Sequence, residues 1–126
     1  MAASLKIVVV EDQEDTREML RMLLEMNGHQ VFEAWDGCAA VQLIERECPD
    51  VALIDIGLPS IDGYEVARRI RKGAEIPNLL LVALTGYGAD EDVSAARAAG
   101  FDRHLTKPTD PAALEALLAG AAGVAM

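Results

Sequence analysis

The 126-residue chain is poor in aromatic side chains: one tryptophan, two tyrosines and two phenylalanines make up 4% of it, against a hydrophobic share of 52%. Its core must therefore be one of Val, Leu, Ile, Ala and Met, which suits buried parallel strands covered by helices. Cysteine is equally scarce. Cys38 and Cys48 lie in one stretch of helical spacing, and a single pair gives no disulfide framework, so a reducing cytoplasm is the expected compartment. Basic residues are a minority, 11 against 21 acidic ones, for a net charge of -10. Such a surface repels DNA and anionic lipid, which excludes direct nucleic-acid binding as the expected role. No apolar run approaches the roughly 18 residues of a membrane span, and Met1 to Lys6 has no signal-peptide character. Repeats and low-complexity segments are absent. A single domain is expected over 1–126, with its core at about 5–119 and a small-residue tail that frays over 120–126.

What is present is a set of short apolar runs. Ile7-Val8-Val9-Val10, Val51-Ala52-Leu53-Ile54 and Leu79 to Leu84 read as strands buried on both faces, and Gln30 to Ala34 as a weaker one. Between them lie apolar stripes at helical spacing, such as Met19, Leu20, Leu23 and Leu24, then Val41, Leu43 and Ile44. Tyr64 to Arg71, Asp90 to Ala99 and Pro111 to Leu118 suggest further helices, the last with Asp110 as cap and Pro111 in its first turn. With a short strand at Arg103 to Thr106, strands and helices alternate strictly. That pattern implies an α/β parallel sheet with right-handed crossovers.

In an open doubly wound sheet, ligands sit outside the carboxyl ends of the strands. The residues there are Glu11-Asp12 after the first run, Asp55 after Val51 to Ile54, Thr85 after Leu84, and Lys107 after Thr106. Three acids brought together repel unless a cation joins them, and a hard divalent ion such as magnesium suits oxygen ligands. A carboxylate can also attack phosphorus to form an aspartyl phosphate, a reaction that needs positioning and charge neutralisation above all. Asp55, which ends a buried strand, is the natural nucleophile, with Lys107 and Thr85 meeting the phosphoryl oxygens. Each group alone has a plainer reading. Glu11-Asp12 suits a helix start, Asp55 a turn cap, Thr85 a buried hydroxyl and Lys107 a solvated charge; the weight lies in the combination.

Those residues carry a resemblance over nearly the whole length: the chain resembles the response-regulator receiver domain of two-component signal transduction. The matching motifs are Val10-Glu11-Asp12, Leu53-Ile54-Asp55-Ile56-Gly57-Leu58-Pro59, Leu84-Thr85-Gly86 and Leu105-Thr106-Lys107-Pro108. The resemblance implies a flavodoxin-like, doubly wound five-stranded parallel sheet of order 2-1-3-4-5 with five helices. It also implies phosphorylation of Asp55 and a Mg2+ (or Mn2+) ion bound by Asp12, Asp55 and the Gly57 carbonyl, with Glu11 acting through water. Thr85, Lys107 and His104 would bind the phosphoryl group or switch with it, Gly57 and Tyr87 would tune dephosphorylation, and Lys107-Pro108 would be a cis peptide. The implied donor is a sensor histidine kinase or histidine phosphotransfer domain. A downstream protein would meet the face of the fourth helix, fifth strand and fifth helix, and a homodimer is a separate expectation. Nucleic acid and membrane are not expected partners, and the domain would be a phospho-acceptor with self-phosphorylation and self-dephosphorylation rather than an enzyme.

Departures from that pattern are informative. His104 stands where such domains carry Tyr or Phe, and a smaller ring that titrates near neutral pH implies a weaker or pH-sensitive output switch, against the plainer reading of a surface histidine. Gly57 and Tyr87 influence water access in opposite senses. Met19, Met22 and Met26 read as packing residues of the first helix, Asp62-Gly63 as a turn and helix start, and Arg68, Arg69, Arg71 and Lys72 as a solvated face. A magnesium-dependent aspartyl-phosphate phosphatase is disfavoured, since Gly57 stands where its second acid belongs. So is a flavodoxin-like cofactor binder, whose phosphate loop would not begin Glu11-Asp12. The full set Glu11, Asp12, Asp55, Thr85 and Lys107 argues against a degenerate receiver acting only as an interaction module. The five strand–helix units use almost all the residues, so signalling by partner binding is expected, and the stretch from Gly100 to Pro108 resembles receivers of hybrid histidine kinases.

Overall fold

Three apolar runs form the centre of the sheet, as their Val, Ile and Leu content requires. The computed structural model describes residues 4–73, 76–86 and 90–124. Along the chain come β1 (Lys6–Val10), α1 (Glu14–Met26), β2 (Gln30–Ala34), α2 (Gly37–Glu47) and β3 (Val51–Asp55). There follow α3 (Gly63–Lys72), β4 (Leu80–Thr85), α4 (Asp90–Ala99), β5 (Arg103–Thr106) and α5 (Pro111–Val124). The strands form one sheet of order β2-β1-β3-β4-β5, every pairing parallel. This is the flavodoxin-like arrangement expected. The segment from residue 120, expected to fray, is helical as far as Val124.

Side chains alternate across a strand, so one run of apolar residues serves two cores. Val8, Val10, Ala52, Ile54, Leu81 and Ala83 pack with Ala40, Leu43 and Ile44 of α2, Val66, Ala67 and Ile70 of α3, and Ala96 and Ala99 of α4. Ile7, Val9, Val51, Leu53, Val82 and Leu84 pack on the other face with Leu20 and Leu24 of α1 and Leu114 and Leu118 of α5. Helices α2 and α3 start where the sequence supplies caps. Asp36 accepts from the Ala39 N–H (2.8 Å) and Asp62 from the Glu65 N–H (2.9 Å), which satisfies otherwise orphaned donors.

Met19, Met22 and Met26 do not join the core: they are 43%, 53% and 81% exposed. Leu20 and Leu24 define the inward stripe of α1, and Met22 and Met26, two residues beyond each, lie about 200° round the helix. The sequence holds two apolar stripes, and the leucine one takes the sheet. The basic end of α3 also differs from a uniformly solvated face. Arg71 donates through Nε to the Gly100 carbonyl (3.0 Å) and pairs through Nη2 with Asp102 (2.7 Å). Asp102 in turn accepts from the Leu81 N–H (2.8 Å), so α3, β4 and the start of β5 are joined by side chains.

Gly63 is required by a close approach. A Cβ there would lie 2.6 Å from both the Asp55 carbonyl oxygen and the Ile56 Cα, whereas one at Gly57 would meet only Asp55 Oδ1 at 3.6 Å. Gly63→Ala is expected to lose about 1–3 kcal/mol of stability through forced backbone shifts, read as a lower urea midpoint, while Gly57→Ala stays within ~0.5 kcal/mol of the native chain. At the opposite end of the sheet, His29 Nδ1 accepts the Leu5 N–H (3.0 Å), and burial lowers the pKa of its imidazole. A neutral acceptor is held in the folded state, so this contribution is present above the ordinary histidine pKa and is lost as pH falls through the depressed one. His29→Gln, which keeps an acceptor at every pH, should therefore show a smaller fall in melting temperature between pH 7 and pH 5 than the native chain.

Candidate functional site

Parallel strands bring their carboxyl ends to one edge, and the polar residues of the sequence collect there. The Val10–Ile54 register aligns the ends of β1 and β3, and Asp55–Leu84 and Thr85–Thr106 extend the edge to β4 and β5. Glu11 continues β1: its N–H donates to the Ala34 carbonyl (3.1 Å), and its side chain is 0% exposed. Asp12 is exposed, Asp55 buried. One carboxylate oxygen from each of Glu11, Asp12 and Asp55 lies within 4.8 Å of the others.

Lys107 reaches this cluster from beyond β5, after its N–H has donated to the Thr85 carbonyl (2.7 Å). Its ammonium lies 2.6 Å from Glu11 Oε1 and 3.0 Å from Asp55 Oδ2. The second oxygen of Asp55 accepts the Gly57 N–H (3.0 Å). The Lys107–Pro108 peptide is cis. Thr85 is buried, and its Oγ1 has no hydrogen-bond partner among the described residues. A buried hydroxyl in that condition is costly unless a ligand supplies the missing bond.

The two buried acids are driven apart in acidity. Burial pushes the Glu11 carboxyl up to about 7 and the neighbouring Asp55 adds to the rise, although Lys107 opposes it. Asp55 also feels burial as an upward push, but the Gly57 N–H, Glu11 and Lys107 outweigh it and hold its carboxyl below the usual range. Lys107 is raised: burial works against its charge, and the two carboxylates more than compensate. One carboxylate, ionised at neutral pH, thus sits beside a cation and two further acids. The donor set is all oxygen with an excess of negative charge, which fits a hard divalent cation.

His104 is exposed on β5, opposite Ala83 in register, and lines a hollow of about 20 Å³ with Val93, Ala96 and Phe101. Tyr87 lies outside the described residues. Arg17, which sequence reasoning passed over, donates to the Glu11 carbonyl (3.0 Å) and lies 5.3 Å from the Trp35 ring centre. A signal for it existed: Arg17, Leu20 and Leu24 share a stripe at i, i+3 and i+7, where a charged residue needs partners.

The acidity of Glu11 has a measurable consequence. The unfolded chain ionises it near 4.5 and the folded chain near 7, so the native fold loses stability relative to a neutral side chain as pH rises between those values. Glu11→Gln should gain stability over the native chain on going from pH 5 to pH 8 without added metal, by on the order of 1–3 kcal/mol in chemical denaturation.

Comparisons with known proteins bear on the family of the chain. A family model for the response regulator receiver domain matches residues 7–119. An uncharacterized 14.6 kDa protein of Leptolyngbya boryana is 41% identical over 109 residues, 86% of this chain and 83% of that protein. A probable transcriptional regulator of Guillardia theta is 38% identical over 111 residues, 88% of this chain but only 42% of that protein, so the chain spans less than half of that relative. The receiver domain of a sensor histidine kinase from Pseudomonas aeruginosa, solved with a magnesium ion in its active site cleft, is 31% identical with a TM-score of 0.87, over 96% of this chain and 99% of that one. With a matching model over residues 7–119, the same sheet order and the acidic edge, the chain belongs to the response regulator receiver domain family of two-component systems.

Proposed function

We propose that this receiver takes a phosphoryl group onto Asp55 from a phosphohistidine of a sensor histidine kinase or phosphotransfer domain. Glu11, Asp12, Asp55 and the backbone carbonyl of Gly57 would hold the Mg2+ (or Mn2+) ion. The observation that carries the reading is the Lys107 ammonium, 3.0 Å from Asp55 and 2.6 Å from Glu11, beside the unpartnered Thr85 hydroxyl. The ion, when bound, supplies charge neutralisation at the phosphoryl oxygens.

This chain's residues do the rest. Asp55 is ionised and anchored at the end of β3, so one of its carboxylate oxygens attacks phosphorus; the new P–O bond forms as the donor's P–N bond breaks, and the imidazole nitrogen leaves with the electron pair. Formation of this mixed anhydride removes the carboxylate charge from Asp55 and gives the Lys107 ammonium a phosphoryl oxygen as partner in its place, beside Glu11. Thr85 donates its hydroxyl to a second phosphoryl oxygen. Gly57 and Tyr87 set water access to the acyl phosphate, and His104 turns with Thr85. The domain, a single unit over 1–126 in the cytoplasm, then acts as a phospho-acceptor and not by turnover. Its output is binding of a protein partner, or of a second copy, at the α4–β5–α5 face. Among the described residues no helix is long and apolar enough to cross a membrane. A phosphatase reading gains no support, because Gly57 brings no second acid to Asp55.

Intact-mass measurement after incubation with a small phosphodonor and Mg2+ tests this directly. The native chain should gain one phosphoryl mass and Asp55→Asn none, with chelation of the metal abolishing the gain and Lys107→Ala slowing it at least tenfold. No gain in the native chain, or an equal gain in Asp55→Asn, removes the assignment.

A further inference from the structure

We infer that Arg17 is a positioning residue for the acidic edge, fastening the β1–α1 turn so that Glu11 and Asp12 stand in register with Asp55; the inference rests on the metal-binding reading above. The turn that carries both acids is held from α1 by a side chain, Arg17 Nη1 donating to the Glu11 carbonyl at 3.0 Å, while within the turn the Gln13 N–H donates to Glu11 Oε2 at 3.3 Å. That carbonyl belongs to the peptide linking Glu11 to Asp12, so the contact acts on both side chains at once.

The guanidinium is itself held from two further sides. Its Nε lies 3.8 Å from Glu33 Oε1 on β2, and its plane lies 5.3 Å from the Trp35 ring centre just beyond that strand. Arg21, one turn further along α1, approaches the same Glu33 oxygen at 3.6 Å. With its side chain only 15% exposed, Arg17 is not a solvated charge. A planar fork with several donors suits this combination of carbonyl, carboxylate and aromatic face, and a lysine does not reproduce it. The chain of contacts runs from the edge strand β2 through α1 to the end of β1, three elements meeting at one side chain.

Two effects of this residue on cation binding oppose each other. As a positive charge near three carboxylates, Arg17 weakens attraction for a divalent ion. As a tether, it orders two of the three acids and strengthens it. Groups that orient metal ligands change affinity by about 10- to 100-fold when removed, whereas one charge separated from the acids by a peptide and partly screened changes it by a few-fold. Positioning should win.

Isothermal titration of the native chain, Arg17→Gln, Arg17→Lys and Glu33→Gln with MgCl2 at constant ionic strength tests the inference, with far-UV circular dichroism to confirm folding. Arg17→Gln is expected to bind about tenfold more weakly, Arg17→Lys to lie between it and the native chain, and Glu33→Gln, which leaves the tether but frees its anchor, to lose about two- to threefold. Binding by Arg17→Gln that equals or exceeds that of the native chain overturns the inference, since loss of charge alone raises affinity. Should Arg17→Gln not fold, Arg17→Lys decides: its charge is unchanged, so native affinity overturns positioning and weaker affinity supports it. Failure of the native chain to bind Mg2+ at all is a distinct result that removes the metal-binding reading and this inference together.

Discussion

One ammonium between two buried carboxylates is the interaction on which the rest of the edge depends. Glu11 is fully buried beside Asp55, and two such acids cannot share an interior without a counter-charge. Lys107 supplies it at 2.6 and 3.0 Å, from the far side of the sheet. The ammonium reaches them only because β5 pairs in parallel with β4 and the Lys107 N–H is bound to the Thr85 carbonyl. Strand order is therefore a condition of the electrostatics. A slip of one residue in β5 would turn its side chains to the opposite face and leave the acids uncompensated.

The same charge divides the acids into distinct states. Glu11, raised by burial, and Asp55, held low by the Gly57 N–H, Glu11 and Lys107 against its own burial, differ in their readiness to ionise although both are carboxylates in one cluster. Environment separates chemically similar groups into different roles. Arg17 adds a hydrogen bond from outside the cluster, donating to the carbonyl of the peptide between Glu11 and Asp12.

The layout of the fold was legible wherever burial dominates. β1, β3 and β4 are covered on both faces and read as uninterrupted apolar runs, and Asp62 announces its helix by capping chemistry. The edge groups Glu11, Asp12, Asp55, Thr85 and Lys107 were legible because a parallel sheet sends every strand end to one side, so adjacency in space follows from topology rather than from distance along the chain. Features decided by competition between faces were not. Met19, Met22 and Met26 form an apolar stripe as regular as the leucines of α1, and only the packed helix reveals which one the sheet takes. Arg71 resembles its solvated neighbours in sequence, but its partners lie on the segment before β5, and no local pattern signals them. The seclusion of Glu11 compared with exposed Asp12 is likewise a property of the β1–β2 junction, where its N–H completes the ladder.

The contact at Gly63 bears on how a disturbance at the edge would spread. The first residue of α3 lies so near the Asp55 carbonyl that even a methyl group has no room, so the backbone behind that acid is braced. The backbone behind Asp55 therefore has no room to give toward α3. On the other side, beyond Thr85, a Cβ on Gly86 would meet no atom within 4 Å among the described residues. Direction, in this domain, is built into where a single methyl group does not fit.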